Sequence, residues 1–189
     1  MMAVIVAIDG ATRSGVAVAE PSSGIPKMEL FTWQAPEKRP IQEKIEYLVE
    51  HLIRLIGNIQ VLYAAVEIPQ SGIGSRRTYV ETPDGIQINY KLGGNAGTQA
   101  QLWAMHGAYV GVLHSHDIQY RGVGVREWRK AILGNGNMKK DEAKKASRDM
   151  CFRLGIDAKN NDTAEAAMIL LYANGNYRRW LVEDGFKNL

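Results

Sequence analysis

The chain has 189 residues, the size of one domain, with 46% apolar and 23% charged residues, a soluble globular mix able to bury a core. Charges or glycines interrupt every apolar run before the roughly 18–20 residues a membrane span needs, and a single cysteine, Cys151, excludes an internal disulfide and suits a reducing compartment. The net charge is only +3, but Arg121 to Arg153 carries ten Lys/Arg against four Asp/Glu, a local excess that suits a polyanion as well as a solvated helix face.

The first element is a strand. Residues 3–9 (AVIVAID) are apolar and β-branched and end in Asp-Gly. With no basic start and no small-residue cleavage site, the segment reads as a buried strand rather than a secretion signal. A turn is expected at Arg13-Ser14-Gly15, then a strand at Val16–Ala19 and another at Lys27–Gln34 (KMELFTWQ), together an antiparallel meander. Over 41–57 the period changes: Ile41, Ile45, Leu48, Leu52 and Leu55 fall at helical spacing, and Gly57 is expected to stop the helix. Val61–Val66 is again a continuous apolar run, a strand covered on both faces, ending Glu67-Ile68-Pro69.

Residues 70–97 are Gly-rich, include adjacent Arg76 and Arg77, and are expected to form a long inserted functional loop. A helix from about Thr98 to Leu113 follows, then a last strand at Asp117–Val125 and helices at Arg126–Leu133, Lys140–Leu154 and Asp162 to about Tyr177. This order predicts one α/β domain: a mixed five-stranded sheet, a three-stranded antiparallel meander plus two parallel strands, flanked by helices. Such sheets hold their sites at the carboxyl ends of parallel strands, where Asp9 and Glu67 fall.

Each acid has an ordinary reading. Asp-Gly is a common turn pair, and Asp162-Thr163-Ala164-Glu165 reads locally as a capping box with Asp162 as N-cap. Glu67 follows six apolar residues, where an unpaired carboxylate is costly. The i, i+3 spacing of Asp162 and Glu165 also puts both on one helix face. Together the acids would repel one another unless a cation sat among them, and oxygen-only donors suit Mg²⁺ or Mn²⁺. No Cys/His cluster with zinc spacing competes, His106, His114 and His116 read as structural or surface residues, and no nucleophile elbow supports a Ser-His-Asp triad.

Five segments, AIDGATRSGVAV, VLYAAVEIP, QLWAMHGAYVGVL, WRKAILGNGNMKK and NNDTAEAAMIL, run from Val4 to about Tyr172. In that order they resemble the RuvC-type Holliday-junction resolvases of the RNase H-like superfamily, particularly the small divergent versions of bacteriophages. The resemblance implies an RNase H-like nuclease domain and metal ligation by Asp9, Glu67, Asp162 and Glu165, around two Mg²⁺ or Mn²⁺ ions. The last of these is more often Asp in the family. Bases flank the family's Gly-x-Gly turn, here Gly134-Asn135-Gly136; Arg129 precedes it, expected on DNA, and Lys140 follows it, expected to stabilise the transition-state phosphate. Arg76, Arg77, Lys130, Lys139 and Lys144 are further candidate DNA contacts.

The resemblance further implies a homodimer, with Trp103, Gly107 and Val110 as interface candidates against ordinary packing on the sheet, and a cytoplasmic protein of a prokaryotic or phage-infected cell. The family's aromatic three residues past the strand-end Glu is Gln70 here, and Tyr79 is a candidate replacement. The implied activity is metal-dependent, structure-specific cleavage of branched DNA: Holliday junctions, flaps or forks. A non-cleaving branched-DNA-binding protein and a nuclease for RNA–DNA hybrids stay open. An actin- or sugar-kinase-like nucleotide module would need a second domain and a second Asp-x-Gly loop.

Overall fold

A computed structural model describes residues 3–69, 74–82, 85–93 and 96–185, with side chains for 3–69 and 97–184. The elements in chain order are β1 (Ala3–Asp9), β2 (Arg13–Ala19), β3 (Met28–Gln34), α1 (Ile41–Asn58), β4 (Gln60–Ile68), β5 (Gly74–Thr82) and β6 (Gly85–Gly93), followed by α2 (Ala96–Ser115), β7 (Tyr120–Gly124), α3 (Val125–Leu133), α4 (Lys140–Arg153) and α5 (Asn161–Gly185). The main sheet has the order β3-β2-β1-β4-β7. The first three strands are antiparallel neighbours; β4 and β7 add in parallel. This is the expected mixed sheet.

Strand alternation sorts the core into two layers. Ile5, Ala7, Ala17, Tyr63 and Ala65 face α5, whose Ala164, Ala166 and Ala167 pack against them. Val6, Ile8, Val16, Ala64 and Val66 point the other way, onto Leu48 and Leu52 of α1 and Met105, Tyr109 and Leu113 of α2. Alanines on both sides of the α5 layer let that helix lie close to the sheet. Because β1 and β4 are parallel with Ile8 opposite Val66, their next residues, Asp9 and Glu67, end side by side.

Several boundaries differ from the sequence expectation. The turn after β1 spans Gly10–Thr12; Arg13, Ser14 and Gly15 already belong to β2. The Ser14 hydroxyl closes it, donating to Ala11 O at 2.6 Å and accepting from Ala11 N at 3.2 Å, so a residue that reads as turn from its type serves the turn from the strand. Gly57 lies inside α1, which ends where Ile59 turns extended into β4. Before β7, Asp117 adopts a left-handed φ of 54° and Ile118 N returns to Leu113 O at 3.0 Å, closing α2 and delaying the strand to Tyr120.

The segment expected as a long inserted functional loop contains two antiparallel strands, β5 and β6, paired from Gly74↔Gly93 to Thr82↔Gly85. Glycine content hid the alternation of Ile86, Ile88, Tyr90 and Leu92. Helix α5 extends eight residues beyond Tyr177 because Trp180 is buried in the sheet layer and Asp184 accepts a hydrogen bond from Tyr63 Oη at 2.7 Å. No described helix is long and apolar enough to cross a membrane.

Cys151 is buried under the α4–α5 contact, and burial pushes its thiol up to about 11. Iodoacetamide at about pH 8 should therefore modify Cys151 only in denaturant, because the thiolate is the reactive form. Mass spectrometry would reveal it, and native labelling at the unfolded rate would contradict the packing of α4 on α5.

Candidate active site

The two strand-end acids meet a helix start. The start of α5 is capped by Asn160 rather than Asp162: Asn160 Oδ1 accepts from Thr163 N at 2.9 Å, and Thr163 Oγ1 accepts from Asn160 N at 3.2 Å. That reciprocal box satisfies the helix end and corrects the local reading of Asp162 as N-cap, leaving Asp162 and Glu165 free to face the sheet. The helix reaches the sheet at Gly15, where an added Cβ would lie 1.9 Å from Asp162 O and 2.3 Å from Asp162 C. Gly15 is also the ladder partner of Asp9. The missing side chain brings the start of α5 and the end of β1 to one place.

Three of the four acids have protein partners. Trp128 Nε1 donates to Glu67 Oε2 at 2.8 Å. Arg129 Nη2 pairs with Glu165 Oε1 at 3.0 Å, with both side chains about a tenth exposed or less. Arg13 Nε lies 2.9 Å from Asp162 Oδ2. Among the described residues no hydrogen bond or ion pair is found to the Asp9 carboxylate. Burial first, and then the charges of Glu67, Glu165 and Asp162, raise the Asp9 pKa well above its ordinary value, with Lys144 opposing. Burial likewise raises Glu67 to about 7, although the Trp128 bond favours its charged form. Burial also raises Glu165, against the opposing charge and hydrogen bond of Arg129.

The surrounding scaffold ties α2 to both strand ends. Tyr109 Oη lies 2.7 Å from Oγ of Ser14, the β2 residue that closes the turn after Asp9, and His106 Nδ1 lies 3.0 Å from the carbonyl oxygen of Glu67. Burial lowers the His106 pKa, so the ring is neutral near pH 7 and donates to that carbonyl. His106 is thus structural, as expected, yet stands behind a candidate ligand. Gly134, at φ 81°, ends α3 and turns the chain toward α4.

The basic candidates separate. Arg129, expected on DNA, is buried against Glu165. Lys130, Lys139 and Lys140 are exposed, and the charge of Lys144, one helical turn after Lys140, reaches both Asp9 and Glu165. Arg76 and Arg77 lie on β5 opposite Lys91 and Tyr90, as does Tyr79 opposite Ile88; their side chains, and Gln70 altogether, lie outside the described residues. On α2, Trp103 and Gly107 are exposed and Val110 is partly buried, while Met105, Tyr109 and Leu113 fill the core. Sequence reasoning missed Trp128, Arg13, Ser14 and Tyr109 as contributors to the site. Trp128 adjoins Arg129 and Tyr109 adjoins Val110, while Arg13 and Ser14 read as turn residues.

The donor chemistry suits a hard divalent cation: carboxylate oxygens only, one carboxylate without a partner among the described residues, and the other three acting electrostatically on it. As they stand, no three of the described acids, histidines or cysteines are grouped closely enough to hold one ion, and three of the carboxylates face Arg13, Trp128 and Arg129.

No protein-family model and no curated protein matches the chain. Solved structures do. Thermus thermophilus RuvC aligns with a TM-score of 0.61 at 18% identity over 93% of this chain and 96% of that one. T. thermophilus RuvC in complex with Holliday junction substrate aligns with a TM-score of 0.63 at 15% identity and the same coverage. The chain therefore has the RuvC-type, RNase H-like fold that its motifs implied.

The raised Glu67 pKa fixes a sign. Its folded value of about 7 exceeds the ordinary 4.5, so the folded protein holds the proton more tightly and loses stability as pH rises through that interval. Glu67→Gln retains an acceptor for Trp128 but removes the charge. In EDTA above about pH 7 it should be roughly 1–3 kcal/mol more stable than the parent, with the gain shrinking toward pH 5. Thermal melts across pH check this; a pH-independent difference would contradict the assignment.

Proposed function

We propose that this protein is a metal-dependent, structure-specific endodeoxyribonuclease that hydrolyses phosphodiester bonds in branched DNA, with Holliday junctions as the foremost substrate. One observation supports the reading: on a RuvC-type fold, Asp9, Glu67, Asp162 and Glu165 come from two parallel strand ends and one helix start, near enough that the other three raise the pKa of a desolvated Asp9 that has no hydrogen-bond or ion-pair partner among the described residues. Such a charge cluster is unfavourable until a cation enters.

These four acids are the proposed ligands of Mg²⁺ or Mn²⁺, two ions per site. When bound, the ions supply an activated water and stabilise the leaving oxygen. Trp128 orients the Glu67 carboxylate, and Arg129 holds Glu165 in place from a buried position. Lys144 brings positive charge to the acids, where phosphate negative charge develops, a role the sequence resemblance assigned to Lys140. Lys130, Lys139 and Lys140 lie exposed around the turn between α3 and α4 and are proposed, with Arg76 and Arg77 of β5, to hold DNA phosphates.

The proposed assembly is a homodimer through α2. Its outer face is apolar and small: Trp103 is 44% exposed, and nothing lies within 4 Å of a Cβ added at Gly107 or Gly111. A helix apolar on both sides, with only one side covered by the described residues, fits a second copy against the other.

Incubation with labelled junctions, flaps, forks, duplexes and RNA–DNA hybrids tests the reading. Mg²⁺ or Mn²⁺ should support junction cleavage, Ca²⁺ binding with little cutting, and EDTA neither cutting nor metal-assisted binding. Cleavage in EDTA would sink the metal mechanism; exclusive cutting of hybrids, or junction binding without cutting under any metal, would replace the substrate or the activity.

Two substitutions separate chemistry from capping. Asp162→Asn should cost on the order of 10²–10³ in cleavage rate with near-parent melting, because the cap belongs to Asn160. Asn160→Ala should lower stability by about 1 kcal/mol. An Asp162→Asn protein that cuts at the parent rate would remove this acid from the site.

A further inference from the structure

Three of the site's carboxylates face a protein donor, and the three partners differ in one respect. Trp128 and Arg129 are buried, so their bonds to Glu67 and Glu165 are built into the core. Arg13 is not. Its side chain is 49% exposed and that of Asp162 is 20% exposed. An ion pair open to water contributes at most about 1 kcal/mol and is inexpensive to break.

The proximity of the two is nevertheless fixed by the backbone. Arg13 is the first residue of β2, held in the ladder opposite Gln34. Two residues on, Gly15 receives the Asp162 carbonyl in a space no other side chain would leave. The strand and the helix start are locked together, while the guanidinium and the carboxylate are held at their water-exposed edge. A divalent cation and a guanidinium compete for the same carboxylate lone pairs, and Asp162 cannot serve both in full.

We propose that Arg13 is an exchangeable counter-ion of the site: it closes on Asp162 in the metal-free protein, and when metal takes that carboxylate it turns to a backbone phosphate of the DNA. This rests on the nuclease reading above and adds a substrate-positioning residue to it. The guanidinium stays charged throughout, and its planar fork matches a phosphate as well as it matches a carboxylate. The exchange keeps a positive charge at the mouth of an acidic site when the polyanion arrives, where a free Asp162 would repel it.

The exchange makes two predictions of opposite sign. Calorimetric titration with Ca²⁺, which binds without turnover, should show Arg13→Ala taking the ion about two- to fivefold tighter than the parent, because a competitor has gone. The same variant in Ca²⁺ should bind a four-way junction more weakly, with the slope of log affinity against log salt reduced by about one. Arg13→Lys should restore that slope, since a single phosphate contact needs only the charge. Arg13→Gln, which keeps polarity and bulk, should follow Arg13→Ala in both assays, and melting curves establish that each variant is folded.

Unchanged or weaker Ca²⁺ affinity in the folded Arg13→Ala and Arg13→Gln variants would overturn the competition. Unchanged junction affinity and salt slope would overturn the phosphate contact. A parent protein that binds neither Ca²⁺ nor Mn²⁺ would instead overturn the nuclease reading itself, and it is told apart because the failure appears before any substitution.

Discussion

The first turn of α5 rests on bare backbone. At Gly15 the sheet presents no side chain, and the Asp162 carbonyl occupies the place where one would be. Everything at the site depends on that approach. It sets the height of α5 over the sheet, which the facing alanines of β1, β2, β4 and α5 then sustain along the helix. It also decides where two helix acids meet two strand acids, since Gly15 stands opposite Asp9 in the ladder. A larger residue would lift the helix at the end where the carboxylates must converge, whereas the far end is separately secured by Trp180 and the Tyr63–Asp184 bond.

The convergence opposes folding stability. Burial and mutual repulsion both raise the Asp9 pKa, and the same two causes act on Glu67. A core selected for stability alone would not place these groups together. The cationic and donor groups offset the strain unevenly: Arg129 and Trp128 from the core, Arg13 from the solvent edge, and Lys144 by its charge alone from the face of α4, with no hydrogen bond or ion pair to the Asp9 carboxylate among the described residues. In the proposed reading, a bound cation would supply the compensation that these groups leave incomplete.

The fold was legible where periodicity was undisturbed. The runs at 3–9 and 61–66 and the helical spacing at 41–57 gave the central strands, α1 and the strand-end positions of Asp9 and Glu67. Legibility failed where two local signals competed. Asn160 and Asp162 are equally good caps two residues apart, and only the hydrogen bonds with Thr163 choose between them. Glycines concealed β5 and β6, and the basic pair Arg178-Arg179 disguised the last turns of α5, which a buried Trp180 holds in place. The site's supporting contacts were out of reach for a different reason: Trp128–Glu67, His106–Glu67 and Ser14–Tyr109 join residues 61, 39 and 95 positions apart. No local pattern encodes a partner at that range. The charge count along the chain found the basic segment but not its orientation, since Lys140 and Lys144 lie one helical turn apart and it is the docking of α4 that brings the charge of Lys144 to Asp9 and Glu165.

Helix α2 joins the two halves of the functional reading mechanically. Its inner face is fastened to both strand ends, through Tyr109 to the turn after Asp9 and through His106 to the carbonyl of Glu67. Its outer face carries Trp103, whose ring meets His106 edge-on at 5.7 Å, beside the open ground at Gly107 and Gly111. In the proposed dimer a second copy of α2 would press on that outer face. Any displacement of the helix would then be felt at the backbone of Glu67 and in the turn that follows Asp9, because close-packed interiors transmit shifts rather than absorb them. Such coupling would need no pathway across the protein: in the proposed dimer, one rigid helix would have the interface on one side and the strand-end acids on the other.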